Sequence, residues 1–258
     1  MSRFIGLAAL TVLELAPHEQ VSVAATAGYT HVGLRLIPVA GQVLPAFDVG
    51  ETKRRLGDTG VKVLDVEVFR LAADTHVAAF EPVLARAAEL GASELLVHGA
   101  DPDESRLAEA FGALCDLAER YKLAANLEPM PWVEVSTVAK AKRLVGAAGN
   151  HNAAVLIDAI HFYRADNRLD DLEGLPVRYL QLCDARAERP ADMQEIIRQA
   201  RGERLFPGEG GLDLKGLLSA LPGDPPISLE VPHAGGLPPL ERAQRAIAAT
   251  RSLLSRIA

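Results

Sequence analysis

The sequence has little of several features that would place it in other classes of protein. It contains two cysteines, Cys115 and Cys183, so no disulfide framework is indicated. No run of about 18 uninterrupted apolar residues predicts a membrane span. The 27 basic side chains are outnumbered by 34 acidic ones, giving a net charge of −7. That balance argues against a nucleic-acid partner, because neutralising phosphates requires a basic surface.

The first residues also lack the pattern of a secretion signal. An apolar run follows Arg3, but Glu14 interrupts it early, and the same segment fits a first β-strand. Together with the low cysteine content, this predicts a cytoplasmic protein. Hydrophobic residues make up 49% and charged residues 24% of the chain, a composition typical of an ordered globular protein rather than a disordered one.

The chain alternates between short apolar runs and amphipathic helical patterns. The strand-like runs begin at Phe4, His31, Val61, Ser93, Leu123, Ala153, Val177 and Pro226. Continuous apolar runs with β-branched residues suit parallel strands that are covered on both faces. The clearest helical patterns span about 77–90, 104–121 and 240–257, each with an apolar stripe.

Eight strand–helix repeats in about 250 residues predict a single (β/α)₈ TIM barrel over residues 1–258. The rival fold is a doubly wound open sheet, which would have fewer units and a glycine-rich phosphate turn after its first strand. No GxGxxG or GxxxxGK[ST] sequence is present, and this favours the barrel. The longest irregular connection, 187–212, would lie over the C-terminal mouth, where barrel active sites sit.

Polar side chains recur near the C-terminal ends of the last four predicted strands. Because side chains alternate along a strand, residues between helix-facing apolar neighbours point into the barrel. By this parity the inward polar residues are Asn126, Glu128, Asp158, Gln181, Ser228 and Glu230. Converging carboxylates would repel one another unless a proton or a cation neutralised them. A divalent metal such as Mg²⁺ or Mn²⁺ resolves this conflict; the alternative is a separate salt bridge for each acid.

Other residues at the predicted mouth are candidates for contact with a substrate. They are Arg35, Glu67, Arg70, His98, Trp132 and Arg164. Arg35 and Arg70 could bind a substrate anion, but an ion pair with Glu67 or Asp65 would explain them equally well. Trp132 is either a cover over the mouth or a wall against the apolar face of a substrate. His161, three residues after Asp158, is favoured as a functional residue.

These residues carry a resemblance that covers nearly the whole chain. Glu128, Asp158-x-x-His161, QLCD at 181–184, PGEG at 207–210 and Glu230 occur in this order. The ordered set resembles the sugar phosphate isomerase/epimerase family, the xylose isomerase-like TIM barrels. The resemblance implies one divalent ion (Mn²⁺, Mg²⁺, Co²⁺ or Zn²⁺) held by Glu128, Asp158, Gln181 and Glu230. Barrels of this family often form dimers or tetramers, so a homo-oligomer is compatible with the sequence.

The resemblance implies an isomerase or epimerase that acts on a keto sugar or a related polyol-derived ketone. The metal would act as a Lewis acid on the substrate carbonyl. Glu128 and Glu230 would remove the neighbouring proton and return it on the opposite face, and His161 would hydrogen-bond a substrate oxygen.

Two other functions remain open. Gln181 stands where histidine is the commoner ligand in the family. A glutamine at this position resembles the pattern of the bacterial 3-dehydroshikimate dehydratases, although Met130 replaces a histidine found in some of them. A lyase of dehydroshikimate or inosose type is therefore the first alternative, and a non-catalytic sugar-binding barrel is the second. The related AP endonucleases use several metals and many histidine ligands. A chain that is acidic and has seven histidines is a poor fit to them.

Overall fold

Parallel strands curl into a barrel that closes on itself. The computed structural model describes residues 3–39, 41–232 and 236–257. The strands are β1 Ile5–Leu7, β2 His31–Arg35, β3 Lys62–Leu71, β4 Glu94–Gly99, β5 Ala124–Glu128, β6 Ala153–Val155, β7 Ile157–Asp158, β8 Leu180–Leu182 and β9 Ile227–Leu229. Their order is β6-β5-β4-β3-β2-β1-β9-β8-β7.

The two ends of this order, β6 and β7, are consecutive pieces of one strand separated by Leu156. The chain itself therefore closes the sheet, and the predicted (β/α)₈ barrel is confirmed. The predicted sixth strand corresponds to β6 and β7 together. The predicted seventh and eighth strands correspond to β8 and β9.

Helices surround the barrel. They are α1 Pro17–Ala27, α2 Val49–Thr59, α3 Glu81–Glu89, α4 Glu104–Glu119, α5 Val138–Ala148, α6 Ala159–Arg164, α7 Met193–Gly202, α8 Leu214–Ala220 and α9 Pro239–Ile257. The predicted helix at 77–90 is a 3-10 turn, Val77–Phe80, followed by α3, because Pro82 fits the first turn of a helix and not its interior. No helix in the described ranges is both long and apolar enough to cross a membrane.

The interior of the barrel contains a small apolar cluster and many polar groups. Helix-facing residues such as Leu95, Val97 and Leu127 belong to the large hydrophobic core between sheet and helices. The apolar side chains inside form a separate cluster of Leu64, Val68, Leu96, Leu156 and Tyr179. Both cysteines are buried and unpaired, as the sequence predicts.

One aspartate fixes the connection that follows β8. Asp184 Oδ2 accepts hydrogen bonds from the backbone N–H groups of Gly208 and Gly210, each at 3.0 Å, and Oδ1 accepts one from Leu212 at 3.1 Å. The backbones of Asp184 and Leu205 also pair in an antiparallel bridge. This segment is therefore held against the C-terminal end of the barrel.

Gly33 in β2 leaves room for a buried acid on the neighbouring strand. A Cβ atom at this position would overlap Asp65 Oδ1 and lie 3.2 Å from Asp65 Cγ. The pairing register of β2 and β3 shifts between Val32 and Leu34, so the strands are irregular here. The Asp65 carboxylate therefore packs directly against the backbone of Gly33 inside the barrel.

We predict that Gly33→Ala lowers the free energy of unfolding by about 1–3 kcal/mol, because the added methyl group overpacks the Asp65 carboxylate. Urea denaturation measures the loss. The matched control is Gly57→Ala, on the exposed face of α2 where an added Cβ meets nothing within 4 Å. The control should be neutral or stabilising. Equal stability of the two variants would contradict the tight packing of Asp65 against Gly33.

Candidate active site

The four predicted metal ligands lie buried at the C-terminal end of the barrel. Glu128 ends β5, Asp158 ends β7, Gln181 is central in β8, and Glu230 directly follows β9. Asp158 pairs in register with Gln181, and Gln181 pairs with Ser228, two residues before Glu230. The alternation of side chains therefore places all four residues on the inner face.

A buried arginine that the sequence analysis did not single out joins two of the acids. Arg204 is 2% exposed. Its Nη1 lies 2.6 Å from Asp158 Oδ2 and its Nη2 lies 2.8 Å from Glu230 Oε2. Its Nε donates to the carbonyl of Ala200 at 2.7 Å, which fixes the guanidinium plane. The sequence carried one signal for it: several buried acids need a cation, and Arg204 stands three residues before the PGEG segment.

The other oxygens of these acids also have defined neighbours. His98 Nε2 lies 2.8 Å from Glu128 Oε2, and His161 Nε2 lies 3.8 Å from Glu128 Oε1. Asp158 Oδ1 accepts hydrogen bonds from the first turn of α6, including the N–H of His161 at 3.3 Å. Gln181 Nε2 donates to Glu230 Oε1 at 3.0 Å. The side chains form one network.

Burial and unbalanced charge shift the pKa values of this network. Burial and the charge of Asp158 raise the pKa of Glu128 well above its usual range. Burial also raises the pKa of Glu230, although Arg204 opposes the shift. For Asp158 burial acts upward, but Arg204 and His161 hold its pKa below the usual value. Burial lowers the pKa of both His98 and His161 to about 3, so both imidazoles are neutral near pH 7.

The residues present fit a divalent cation. Glu128, Asp158 and Glu230 carry three negative charges when ionised, and Arg204 supplies one positive charge, which leaves a deficit of two. One ligand atom from each of Glu128, Asp158 and His161 lies within 4.8 Å of the others. Carboxylate oxygens have more than one lone pair, so Asp158 and Glu230 can keep Arg204 while binding a metal.

A buried amide oxygen also fits the binding of a divalent cation. Gln181 Oε1 has no hydrogen-bond partner among the described residues. An amide oxygen is a suitable ligand for a hard cation. The oxygen and imidazole donors together suit the divalent ions that the sequence predicts, without selecting one of them.

A cavity of about 550 Å³ opens above the acids. Its wall includes Glu128, Glu230, Arg35, His98, Trp132 and His161. The rings of Trp132 and His161 meet edge to face, with centroids 4.8 Å apart. The charge of Arg35 is neutralised by Glu67, at 2.8 Å. Arg70 and Arg201 also line the cavity, and neither forms an ion pair within the described part of the chain.

Two predicted substrate contacts lie away from this wall. Glu67 is fully buried and holds Arg35. Arg164 is also buried, and its guanidinium donates to Gln199 Oε1 at 3.1 Å and to the carbonyl of Arg186 at 2.6 Å. The position of Arg164 on α6 turns it towards α7 and the connection after β8. Arg164 therefore connects α6 to α7 and to the connection after β8 through hydrogen bonds, and it does not line the cavity.

We predict that Arg204→Met lowers the free energy of unfolding of the metal-free protein by about 3–5 kcal/mol, because Asp158 and Glu230 lose their buried counter-charge. Mn²⁺ should then stabilise the variant more than the wild type. Thermal denaturation with and without Mn²⁺ measures both effects. The control is Arg178→Met, which breaks the ion pair with Glu94 at the other end of the barrel. An equal response of both variants to Mn²⁺ would contradict the predicted interaction.

A closed parallel barrel with inward acids at the C-terminal ends of its strands defines a class of TIM-barrel proteins. This chain belongs to the xylose isomerase-like TIM barrel family, whose family model matches residues 21–253. The family expected from the ordered strand-end residues is confirmed.

Curated relatives and solved structures support this assignment. The chain is 31% identical over 155 residues to a 3-dehydroshikimate dehydratase of Pseudomonas aeruginosa, a match covering 57% of this chain and 24% of the relative. It is 29% identical over 118 residues to an inosose isomerase of Bacillus velezensis, covering 44% and 40%. The matches thus span only a quarter to two-fifths of these enzymes. A structure of an IolI protein with bound zinc superposes with a TM-score of 0.83 at 17% identity, covering 99% of both chains.

Proposed function

We propose that this protein is a divalent-metal-dependent enzyme that removes a proton from the carbon next to the carbonyl of a small polyhydroxylated ketone. The observation that carries the proposal is the convergence of Glu128, Asp158, Glu230 and a neutral His161 beneath the cavity. The names of the relatives, a dehydratase and an isomerase, support it, because both reactions can begin with that proton transfer.

The metal would be held by Glu128, Asp158, Gln181 and Glu230, with His161 as a further donor. When bound, a divalent ion polarises the substrate carbonyl and stabilises the negative charge that develops on its oxygen. Gln181 Oε1 is buried and has no hydrogen-bond partner in the described ranges, so it can serve as a ligand while Nε2 keeps its bond to Glu230.

Glu128 and Glu230 are the proposed proton carriers. They come from β5 and from the end of β9, on separated parts of the barrel wall, and both line the cavity. Two carboxylates on different sides of a bound ketone can remove a proton from one face and deliver one to the other. His161, neutral and in the cavity wall, can hydrogen-bond a substrate oxygen. This arrangement supports the isomerase or epimerase of a keto sugar or polyol-derived ketone.

We predict that the metal-loaded protein incorporates deuterium from D₂O next to the carbonyl of a ketose or inosose, and that Glu230→Gln reduces exchange at least 100-fold. NMR or mass spectrometry measures the exchange. Glu209→Gln, an exposed acid of the PGEG segment, is the matched control and should keep full activity. Elemental analysis should find about one divalent ion per chain and none in Glu128→Ala. A metal-loaded protein that exchanges no ketone in a broad panel would refute this function.

A second candidate function, elimination of water from a carboxylated ketone, is favoured by the charge of the cavity. Arg70 and Arg201 face it without ion-pair partners in the described ranges, and a substrate carboxylate would supply one. The first proton transfer would be the same, and loss of the β-hydroxyl as water would follow. Gln181 and the 3-dehydroshikimate dehydratase relative also support this reaction.

We predict for this second function that incubation with 3-dehydroshikimate produces a conjugated or aromatic ultraviolet chromophore. Arg70→Met should raise KM about tenfold or more with little change in kcat, because it removes binding of the carboxylate. Arg143→Met, on the exposed surface of α5, is the control and should change neither constant. No chromophore, combined with deuterium exchange into neutral ketoses, would exclude the lyase and retain the isomerase.

A further inference from the structure

A second polar ring lies inside the barrel directly below the candidate active site. Its members are Asp65, Asn126, Tyr179 and Ser228, which stand two residues before Glu67, Glu128, Gln181 and Glu230. Residues two apart along a strand share a face, so each member lies below the later of the two residues on the inner face of the barrel. All four members of this second ring are fully buried.

The oxygens of the second ring have few partners. Asn126 Oδ1 and Ser228 Oγ form no hydrogen bond within the described part of the molecule, and the Asp65 carboxylate and the Tyr179 hydroxyl have only each other as neighbouring partners there. Buried polar groups of native proteins are almost always hydrogen-bonded, and a buried carboxylate with too few partners costs more than a neutral group. The concentration of such oxygens on one ring indicates that a further species completes their coordination.

Asp65 is the acid of this region that has no counter-ion among the described residues when it is ionised. Burial and the charge of Glu67 raise the pKa of Asp65 to about 8, and the nearby Tyr179 hydroxyl opposes that shift. The other acids close to it have counter-ions: Glu67 pairs with Arg35 at 2.8 Å, and Glu94 with Arg178 at 2.8 Å. With this pKa the Asp65 carboxyl is largely protonated near pH 7, and one bound positive charge would balance its ionised form.

The composition of the ring selects the kind of ion. Its donors are a carboxylate, a phenol, an amide and a hydroxyl, all of them oxygen ligands, and they carry a single formal negative charge. Oxygen donors suit hard cations, and one negative charge matches a monovalent ion.

We propose that the second ring binds one monovalent cation, Na⁺ or K⁺, between the Asp65 carboxylate and the oxygens of Asn126, Tyr179 and Ser228. None of these residues belongs to the proposed divalent site. The cation would complete the coordination of oxygens that have few or no partners among the described residues.

The test measures the melting temperature of the Mn²⁺-loaded protein in NaCl, KCl and N-methyl-D-glucamine chloride at equal ionic strength. Na⁺ or K⁺, but not the large organic cation, should raise the melting temperature in a saturable manner, by about 2–4 °C at ten times Kd. Asp65→Asn should abolish this response. Asp101→Asn, which removes a buried acid paired with Arg106 outside the barrel interior, should keep it.

Three further measurements keep the proposal independent of folding defects and of the active site. If Asp65→Asn does not fold, Ser228→Ala should raise the apparent Kd for the cation about tenfold. Glu128→Ala, in metal-free buffer, should retain the response to Na⁺ or K⁺. Crystals soaked in Rb⁺ should show an anomalous peak beside Asp65. Equal melting temperatures in all three salts, a full response in Asp65→Asn, or no Rb⁺ peak in a protein that KCl stabilises would overturn the proposal in favour of a protonated Asp65 and internal water.

Discussion

The structure depends on neutralising several carboxylates inside a closed barrel. Arg204 does this for Asp158 and Glu230, at 2.6 and 2.8 Å, in a position where water is excluded. An unpaired buried charge would cost several kcal/mol, so the position of this guanidinium is tightly constrained. The connection after β8 supplies that constraint, because Asp184 accepts hydrogen bonds from three backbone N–H groups in residues 208–212, downstream of Arg204.

The same electrostatic constraint shapes the chemistry at the mouth. The acids leave a negative charge that one divalent ion would balance, while burial keeps His98 and His161 neutral and able to accept or donate single hydrogen bonds. Ion pairs at the rim and at the lower end, Arg35 with Glu67 and Arg178 with Glu94, give two further acids a counter-ion. Arginines thus balance part of the interior charge, and the remaining acids require a proton or a cation.

Sequence reasoning succeeded where the two-residue period of a strand fixes direction. It placed Glu128, Asp158 and Gln181 on the inner face, because each stands between helix-facing apolar neighbours. It missed Arg204, which reaches the site from an irregular connection. The direction of a side chain in such a segment cannot be predicted from a repeating pattern. It also misplaced Arg164, because α6 turns that side chain towards α7. The break between β6 and β7 and the fit of Asp65 against Gly33 depend on barrel closure, which is a non-local property.

The polar rings also have a consequence for folding. Asn126 and Glu128 alternate with Ala125 and Leu127 on β5, and a slip of one residue would move both polar side chains to the helix side. That slip would bury a carboxylate among leucines and valines and would bring Leu127 against Arg204 and the acids. The interior polar groups therefore help to determine the pairing register of the strands. They stabilise the correct strand alignment by making every adjacent alignment electrostatically costly, before any substrate or metal is bound.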